Sequence, residues 1–407
     1  MDRVNISFAA VQMNRDLHFS STIYGLGAGL FFVSYALCEV PSNLLLVRFG
    51  ARRWLARIML TWGFIAMAMM FVRTPVQFYC MRFLLGMAEA GFFPGVVFYL
   101  TEWFPPAYRA RAISRFYIAL PLASTVMGSL AGGLLSLNGR LSLSGWQWLF
   151  LVEGVPPLLL SILFWRYLPD SPKDAQWLSG AEQTWLQGEL TAAASQALKS
   201  THTRADLWAV LRDKRVWLIG IFYFCELTVL YGWAFSAPVI LQGLTGFTVG
   251  RVGSLIAGMG VLGALAMLLN ARHSDKARER PLHIAVPCVL MAAGFLVGGL
   301  TAQPVLAVMA FTLTVVAYNA AQGPSLAMPA AFLSGRTSAI GYAVINGIAM
   351  VGGFVGPYWM GRARDLTGDY QRGLLTLAVP CVVAAVLIYV LKLVQPVRRE
   401  TVVETGV

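Results

Sequence analysis

The sequence predicts an all-α protein threaded repeatedly through a membrane. Three observations carry that prediction: polarity, the spacing of apolar runs, and the placement of basic residues. Of 407 residues, 57% are hydrophobic and 12% are charged, about half the ~25% charged share of a soluble domain. Mean hydropathy is +0.66. The apolar residues gather in runs near the ~20 residues a helix needs to cross a bilayer, which argues against a soluble enzyme. The 39 glycines and 19 prolines would break soluble helices, but packed membrane helices tolerate them.

Apolar segments fall at 22–47, 54–72, 77–101, 113–137, 146–168, 215–242, 248–271, 282–301, 304–333, 338–360 and 372–393. Residues 1–13 read as the tail of one more helix, charged at first and then apolar, so twelve spans are expected with the first cut short. A polar segment, 169–214, divides them six and six. The expected organisation is a helical bundle over 1–168, a central loop over 169–214, a second bundle over 215–394 and a tail over 395–407.

Lys and Arg set the orientation, because they accumulate in cytoplasmic loops. With the central loop placed in the cytoplasm, 22 of the 31 lie on that side and 7 on the other, Arg3 and Arg82 being within spans. Both termini are therefore expected in the cytoplasm. The net charge of +12 does not mark a nucleic-acid binder, since it is spread over short loops with no basic face. The five cysteines stand singly in apolar runs and read as buried thiols. The four histidines lack ligand spacing. No metal or cofactor is expected, and no nucleophile–histidine pair or phosphate-binding loop marks an enzyme.

The two halves echo each other. RFGARRWLAR follows span two and ARHSDKARERP follows span eight. PGVVFYLTEWFPPAYRARAIS, ending span four, has a counterpart in PSLAMPAAFLSGRTSAIGYA, ending span ten. Internal symmetry of six-helix halves marks a transporter whose site lies at the midplane between them.

In these stretches the chain resembles the major facilitator superfamily. More narrowly it resembles the anion:cation symporters, which include permeases for tartrate, sugar acids, phthalate and hydroxyphenylacetate. DRVNISFAA, YALCEVPSNLLLVRFGARRWLARI, FYCMRFLLGMAEAGFFPGVVFYLTEWFP, WQWLFLVEGVPP and GGFVGPYWMGRARDLTGDY carry the resemblance across nearly the whole chain. It implies the major facilitator fold, two six-helix bundles working by alternating access. The sequence departs from the pattern at Val47, where an aspartate is common, while the second-half copy keeps Asp275. The family's first span has some twenty residues before the DR pair, and here the chain opens on Met1-Asp2-Arg3; a misplaced start codon is the expected cause. Ser325 and Leu326 stand where relatives often carry aromatic residues.

Seven ionisable residues lie within spans: Asp2, Arg3, Glu39, Arg82, Glu89, Glu153 and Glu226. A charge at the bilayer centre costs at least ~2.5–3.5 kcal/mol, so each is a functional candidate. Arg82 and Glu89 are seven apart and share a helix face. A carboxylate held out of water can hold a proton near neutral pH, and a neighbouring arginine opposes that. The family pattern makes Glu89 the proton-binding carboxylate with Arg82 as its partner, and Arg82 also counts among the substrate-binding candidates. It also assigns Arg3, a planar fork for carboxylates, to the substrate and Asp2 to proton coupling, with Asn5 near the same site. Glu39 reads as a gating or structural charge, as do Arg48, Arg52, Arg53 and Asp275 of the loops. Glu153 reads as structural, and Glu226 matches no family position. Broken helices add Tyr231, Trp233, Gln322 and Asn346 as substrate-pocket candidates, because Pro and Gly free backbone groups that must face a cavity or another helix.

The expected function is proton-coupled symport of a small organic carboxylate, by a monomer in the bilayer of the plasma membrane. Proton-antiport efflux of a drug or metabolite is the rival, and a non-transporting sensor on the same fold is a third reading.

Overall fold

The apolar runs become helices whose ends follow local chemistry. In the computed structural model, residues 2–117, 130–197, 204–329, 332–333 and 336–394 are described. The first half holds α1 (Asp2–Leu17), α2 (Ser21–Phe49), α3 (Ala51–Ala68), α4 (Pro75–Glu89), α5 (Phe92–Trp103), α6 (Pro106–Tyr117) and α7 (Gly145–Tyr167). The second holds α10 (Lys214–Thr245), α11 (Val249–Ala277), α12 (Pro281–Leu300), α13 (Pro304–Leu326), α14 (Arg336–Thr367) and α15 (Gln371–Val394). Between them, the segment expected as a loop carries α8 (Gly180–Ala197) and α9 (Arg204–Arg212). No strand occurs among the described residues.

Orphan N–H groups at helix starts are capped by side chains. Ser20 Oγ accepts from the Ile23 amide at 3.2 Å, and Thr74 with Gln77 forms a capping box on α4. Ten described segments are long and apolar enough to cross a membrane, α4 and α5 counting as one, Pro75–Trp103. Of the two remaining expected spans, 113–137 falls largely on residues outside the description, and α1 has only 16 residues. The span expected over 304–333 ends early, at Leu326. Pro324 removes a backbone donor there, and Pro329 disfavours helical backbone at the residue before it.

Two large apolar cores form, beside a small cluster of Leu46, Ala51 and Leu55. One draws on residues between Ile6 and Phe150, the other on residues between Val210 and Leu391. Phe235 of α10, 1% exposed, is the second half's contribution to the first core. Water does not drive helices together inside a bilayer, so close approach depends on small residues. A Cβ on Gly352 or Gly356 of α14 would strike the Phe224 or Thr228 carbonyl of α10, and one on Gly86 of α4 would strike the Phe31 carbonyl of α2. The seam between halves is built the same way: Gly25 and Gly29 of α2 lie against backbone of Pro357 and Phe354 on α14.

Polar fasteners mark both ends of the bundle. At the end away from the basic loops, the Asp365 carboxylate of α14 accepts the Ser21 and Thr22 amides at 3.0 and 2.7 Å, capping α2 across the seam. At the basic end, the Arg52 amide donates to Asp170 at 2.8 Å, with the Arg52 guanidinium 3.9 Å away. There the second half pairs Lys392 with Glu279 at 3.2 Å.

Candidate functional site

The site begins at a break in span four. Glu89 is the last residue of α4, Gly91 takes a left-handed φ of 85°, and α5 restarts at Phe92. Only glycine adopts that backbone without strain, and a Cβ there would also collide with Ser42. Gly86, one turn before Glu89, lets α2 approach. The carboxylate is thus held against α1 and α2 with 9% of its side chain exposed.

Arg3 answers it. Its Nε donates to Glu89 Oε1 at 2.7 Å, and its guanidinium lies 4.4 Å from the Tyr35 ring centroid and 5.5 Å from that of Phe31. Planar guanidinium over an aromatic face is an attractive geometry that fixes the fork's direction. The Arg3 side chain keeps 25% exposure, so it is both anchored and reachable. The salt bridge expected between Arg82 and Glu89 is therefore made by Arg3. Arg82 is fully buried, its Nε donates to the Gly27 carbonyl at 3.4 Å, and its guanidinium is 5.0 Å from the Phe31 ring. Both cations thus border one phenyl ring.

Glu39 lies on the same stripe of α2 as Phe31 and Tyr35. It accepts from Asn346 Nδ2 of α14 at 2.8 Å, a hydrogen bond between the halves. Two residues proposed separately from sequence are brought together, and Glu39 makes a hydrogen bond where an ion pair was one expectation. Tyr231 packs on Phe32 across the seam, ring centroids 4.2 Å apart and the rings tilted by 48°. Trp233 leaves the candidate pocket: it is 8% exposed and packs on Phe311 and Phe295 inside the second half, at 4.6 and 6.2 Å. Residues two apart on a helix point about 200° apart, so Tyr231 and Trp233 do not share the cleft.

In the second half, Gln322 of α13 donates its amide to Glu226 of α10. Glu226 is 1% exposed, and its other oxygen is buried without a hydrogen-bond partner. Tyr223, a turn earlier on α10, donates to the Ser325 carbonyl at 2.9 Å. Asn5 is buried; the side chain of Asp2 lies outside the described residues. Glu153 is buried where α7 meets α3. Neither Phe31 nor Tyr35 was among the sequence candidates. The spacing of four that runs from Phe31 to Tyr35 and from Tyr35 to Glu39 was the available signal.

Of the expected loop charges, Arg52 makes an ion pair. Arg48 lies 5.6 Å from the Phe49 ring, Arg53 is exposed, and Arg52 joins Asp170 as above. Asp275 is exposed and contributes its backbone carbonyl, which accepts from Arg278 at 3.2 Å. The charge centre of the second loop is Glu279 instead. Burial pushes its carboxyl up, but Lys392, the Leu282 amide and His283 outweigh that and hold it below the usual carboxylate range. No group of three or more His, Cys, Asp or Glu suited to a metal occurs among the described residues.

At Glu89 the arrangement offers a partly exposed arginine, Arg3, whose counter-ion is a protein carboxylate, in a chain of membrane-length helices. Residues 1–357 match the family profile of the Major Facilitator Superfamily. A protein of Agrobacterium vitis named "Putative tartrate transporter" is 44% identical over 401 residues, spanning 97% of this chain and 90% of its own. A quinolone resistance transporter of Acinetobacter baumannii is 36% identical, over 96% of this chain and 89% of its own. Among solved structures, a bacterial homologue of the human lysosomal transporter Spinster, inward-facing and unoccupied, superposes with a TM-score of 0.80 at 16% identity. That match covers 96% of this chain and 93% of the other, and it bears on fold alone. The chain belongs to the Major Facilitator Superfamily and is a multi-pass membrane transporter, not an enzyme.

Proposed function

We propose that the protein is a symporter that carries a small organic carboxylate together with a proton. The Arg3–Glu89 salt bridge, anchored on Tyr35 and still partly exposed, is the observation that carries this reading. An arginine fork takes a substrate carboxylate in bidentate fashion. Glu89 already occupies part of that fork, so a proton on Glu89 weakens its hold and releases Arg3 to the substrate. Proton and anion then bind as a unit, and their joint neutralisation lets the halves rock about the α2–α14 seam. Asp2, beside Arg3, and Asn5 belong to the same site, with Arg82 holding the floor beneath Phe31. Tyr231, Gln322 and Asn346 face the substrate from the second half. The relative named for tartrate supports the carboxylate.

The basic end is cytoplasmic under the lysine–arginine rule, so both termini lie in the cytoplasm and the protein resides in the plasma membrane as a monomer. Asp365 and the glycine-lined part of the seam then close the outer side.

In proteoliposomes, an inward proton gradient is expected to drive accumulation of a labelled carboxylate. Glu89→Gln is expected to lose that accumulation while retaining exchange of internal for external anion. Gradient-driven accumulation by Glu89→Gln would remove the coupling role. The relative named for quinolone resistance favours a second reading, efflux by proton antiport. Under it, a drug gradient and not a carboxylate would move protons outward in the same vesicles.

A further inference from the structure

We propose that Asn270 is a clasp: its side-chain amide replaces the two backbone donors lost at Pro287 and Pro324, and so makes α11, α12 and α13 one rigid block at the basic end of the second half. The clasp serves whatever solute the carrier moves.

An α-helix bonds each carbonyl to the N–H four residues on. Proline has no N–H. Pro287, inside α12, therefore orphans the His283 carbonyl, and Pro324, inside α13, orphans that of Ala320. Asn270 of α11 places its Nδ2 2.8 Å from each of these two carbonyl oxygens. An amide NH2 carries two hydrogens, one for each carbonyl. Both partners are acceptors, so the atom that meets them must be the nitrogen. Within a bilayer no water satisfies a freed carbonyl, and a neighbouring helix has to do so.

A side chain as short as asparagine reaches both only where helices pack closely. Gly323, beside Pro324, supplies that approach: a Cβ there would stand 2.9 Å from the Ala271 Cβ and 3.4 Å from the Met267 carbonyl oxygen of α11. Toward α12, the turn is drawn tight by Ser274, whose Oγ donates to the Glu279 carbonyl at 2.9 Å. Ring nitrogens of His273 and His283 meet beside it at 2.6 Å. A helix bends most readily at a proline. Here a bend at either proline has to break a bond to Asn270. The three helices thus swing together, and rocking is left to the seam between the halves.

The test is a mutant cycle on the full-length carrier in detergent, read as apparent melting temperature. Asn270→Leu keeps the size and removes the donors, and should lower it by about 5 °C or more, since two carbonyls are left bare. Pro287→Ala with Pro324→Ala returns both backbone N–H groups. In that background Asn270→Leu should cost no more than about 1 °C. Either proline replaced alone should remove about half of the loss. An asparagine that only fills space would cost the same in every background.

Rigidity is read separately, from the spread of distances between spin labels at Leu282 of α12 and Leu326 of α13, both exposed. Cys38 and Cys80, which are not buried, are first changed to serine. In lipid nanodiscs the otherwise unmodified carrier should give one narrow distance. Asn270→Leu should widen it about twofold, because both prolines are then free to bend, and the added proline replacements should narrow it again. An equal thermal loss in every background overturns the proposal, as does a broad or two-peaked distance with Asn270 in place, which would make the prolines hinges. If the double proline variant fails to fold, the single ones decide. If Asn270→Leu fails to fold, its recovery in a proline-replaced background supports the clasp, and failure there too overturns it.

Discussion

The two halves bury their acids differently. In the first, Glu89 faces a cation, Arg3, at 2.7 Å, and a second cation, Arg82, is buried nearby. In the second, Glu226 is buried more completely and meets only an amide. A buried carboxylate with a cation responds strongly to anything that competes for the cation, whether proton or anion. A buried carboxylate with an amide responds weakly to external anions and fixes a hydrogen-bonding pattern instead. One fold, repeated, has buried an acid beside cations in one half and beside an amide in the other.

The contrast is broken most directly at Arg3. Arg3→Lys keeps the charge but loses the fork, and uptake of the carboxylate should fall on the order of 100-fold, since a hydrogen bond to a charged group contributes about 1.5–3 kcal/mol. Initial uptake rates in proteoliposomes measure this; near-normal uptake would place anion binding outside the first half. Stability should divide the halves next. Glu89→Leu leaves the Arg3 guanidinium unpaired and is expected to cost about 2–3 kcal/mol, below the 3–5 of a fully buried pair because Arg3 is partly exposed. Glu226→Leu removes an unpaired buried acid along with one bond to an amide, and about 0–1 kcal/mol is expected. Apparent melting temperatures in detergent give the order, and the reverse order would undo the comparison.

A smaller effect tests the seam that both halves share. Asp365→Asn weakens the cap on α2 by about 1 kcal/mol, so the end carrying Ser21 should open roughly fivefold more often. Thiol labelling of a cysteine placed at Thr22 would report it, and unchanged labelling would show that the glycine packing alone holds that end. The smallest effect lies at the basic end. Glu279 titrates below its ordinary range in the folded protein, so its contribution is complete above the ordinary carboxylate value of about 4.3. It is lost as pH falls through the lowered value, and it amounts to less than about 1 kcal/mol because the pair is exposed. Lys392→Met should flatten the melting temperature between pH 5 and about 3, while a variant at Arg53, which is exposed in the first loop, should not.

Most of the fold was legible because membrane helices announce themselves by length and polarity. Arg3, Glu39, Glu89, Gln322 and Asn346 stood out as candidates, since an ionisable or amide side chain inside a span needs a reason, and each makes a polar side-chain contact in the structure. Their pairings were not legible. A spacing of seven told that Arg82 and Glu89 share a face of α4, but not which helix packs on that face, and α1 does at Glu89. Trp233 was misplaced by grouping it with Tyr231, although a helix cannot turn both into one cleft. The early end of α13 was hidden because its apolar composition continues past Leu326 while its backbone, near two prolines, does not.

The charge fasteners at the basic end carry opposite signs in the two halves: Arg52 near the start of α3 meets Asp170 beyond α7, whereas Glu279 before α12 meets Lys392 near the end of α15. During insertion, the earlier and later helices share one bilayer. A closing helix docked on the wrong half would bring Arg52 to Lys392 or Glu279 to Asp170, like against like. The polarity of these two pairs is thus an address, written in charge at the membrane surface, that tells each closing helix which bundle it completes.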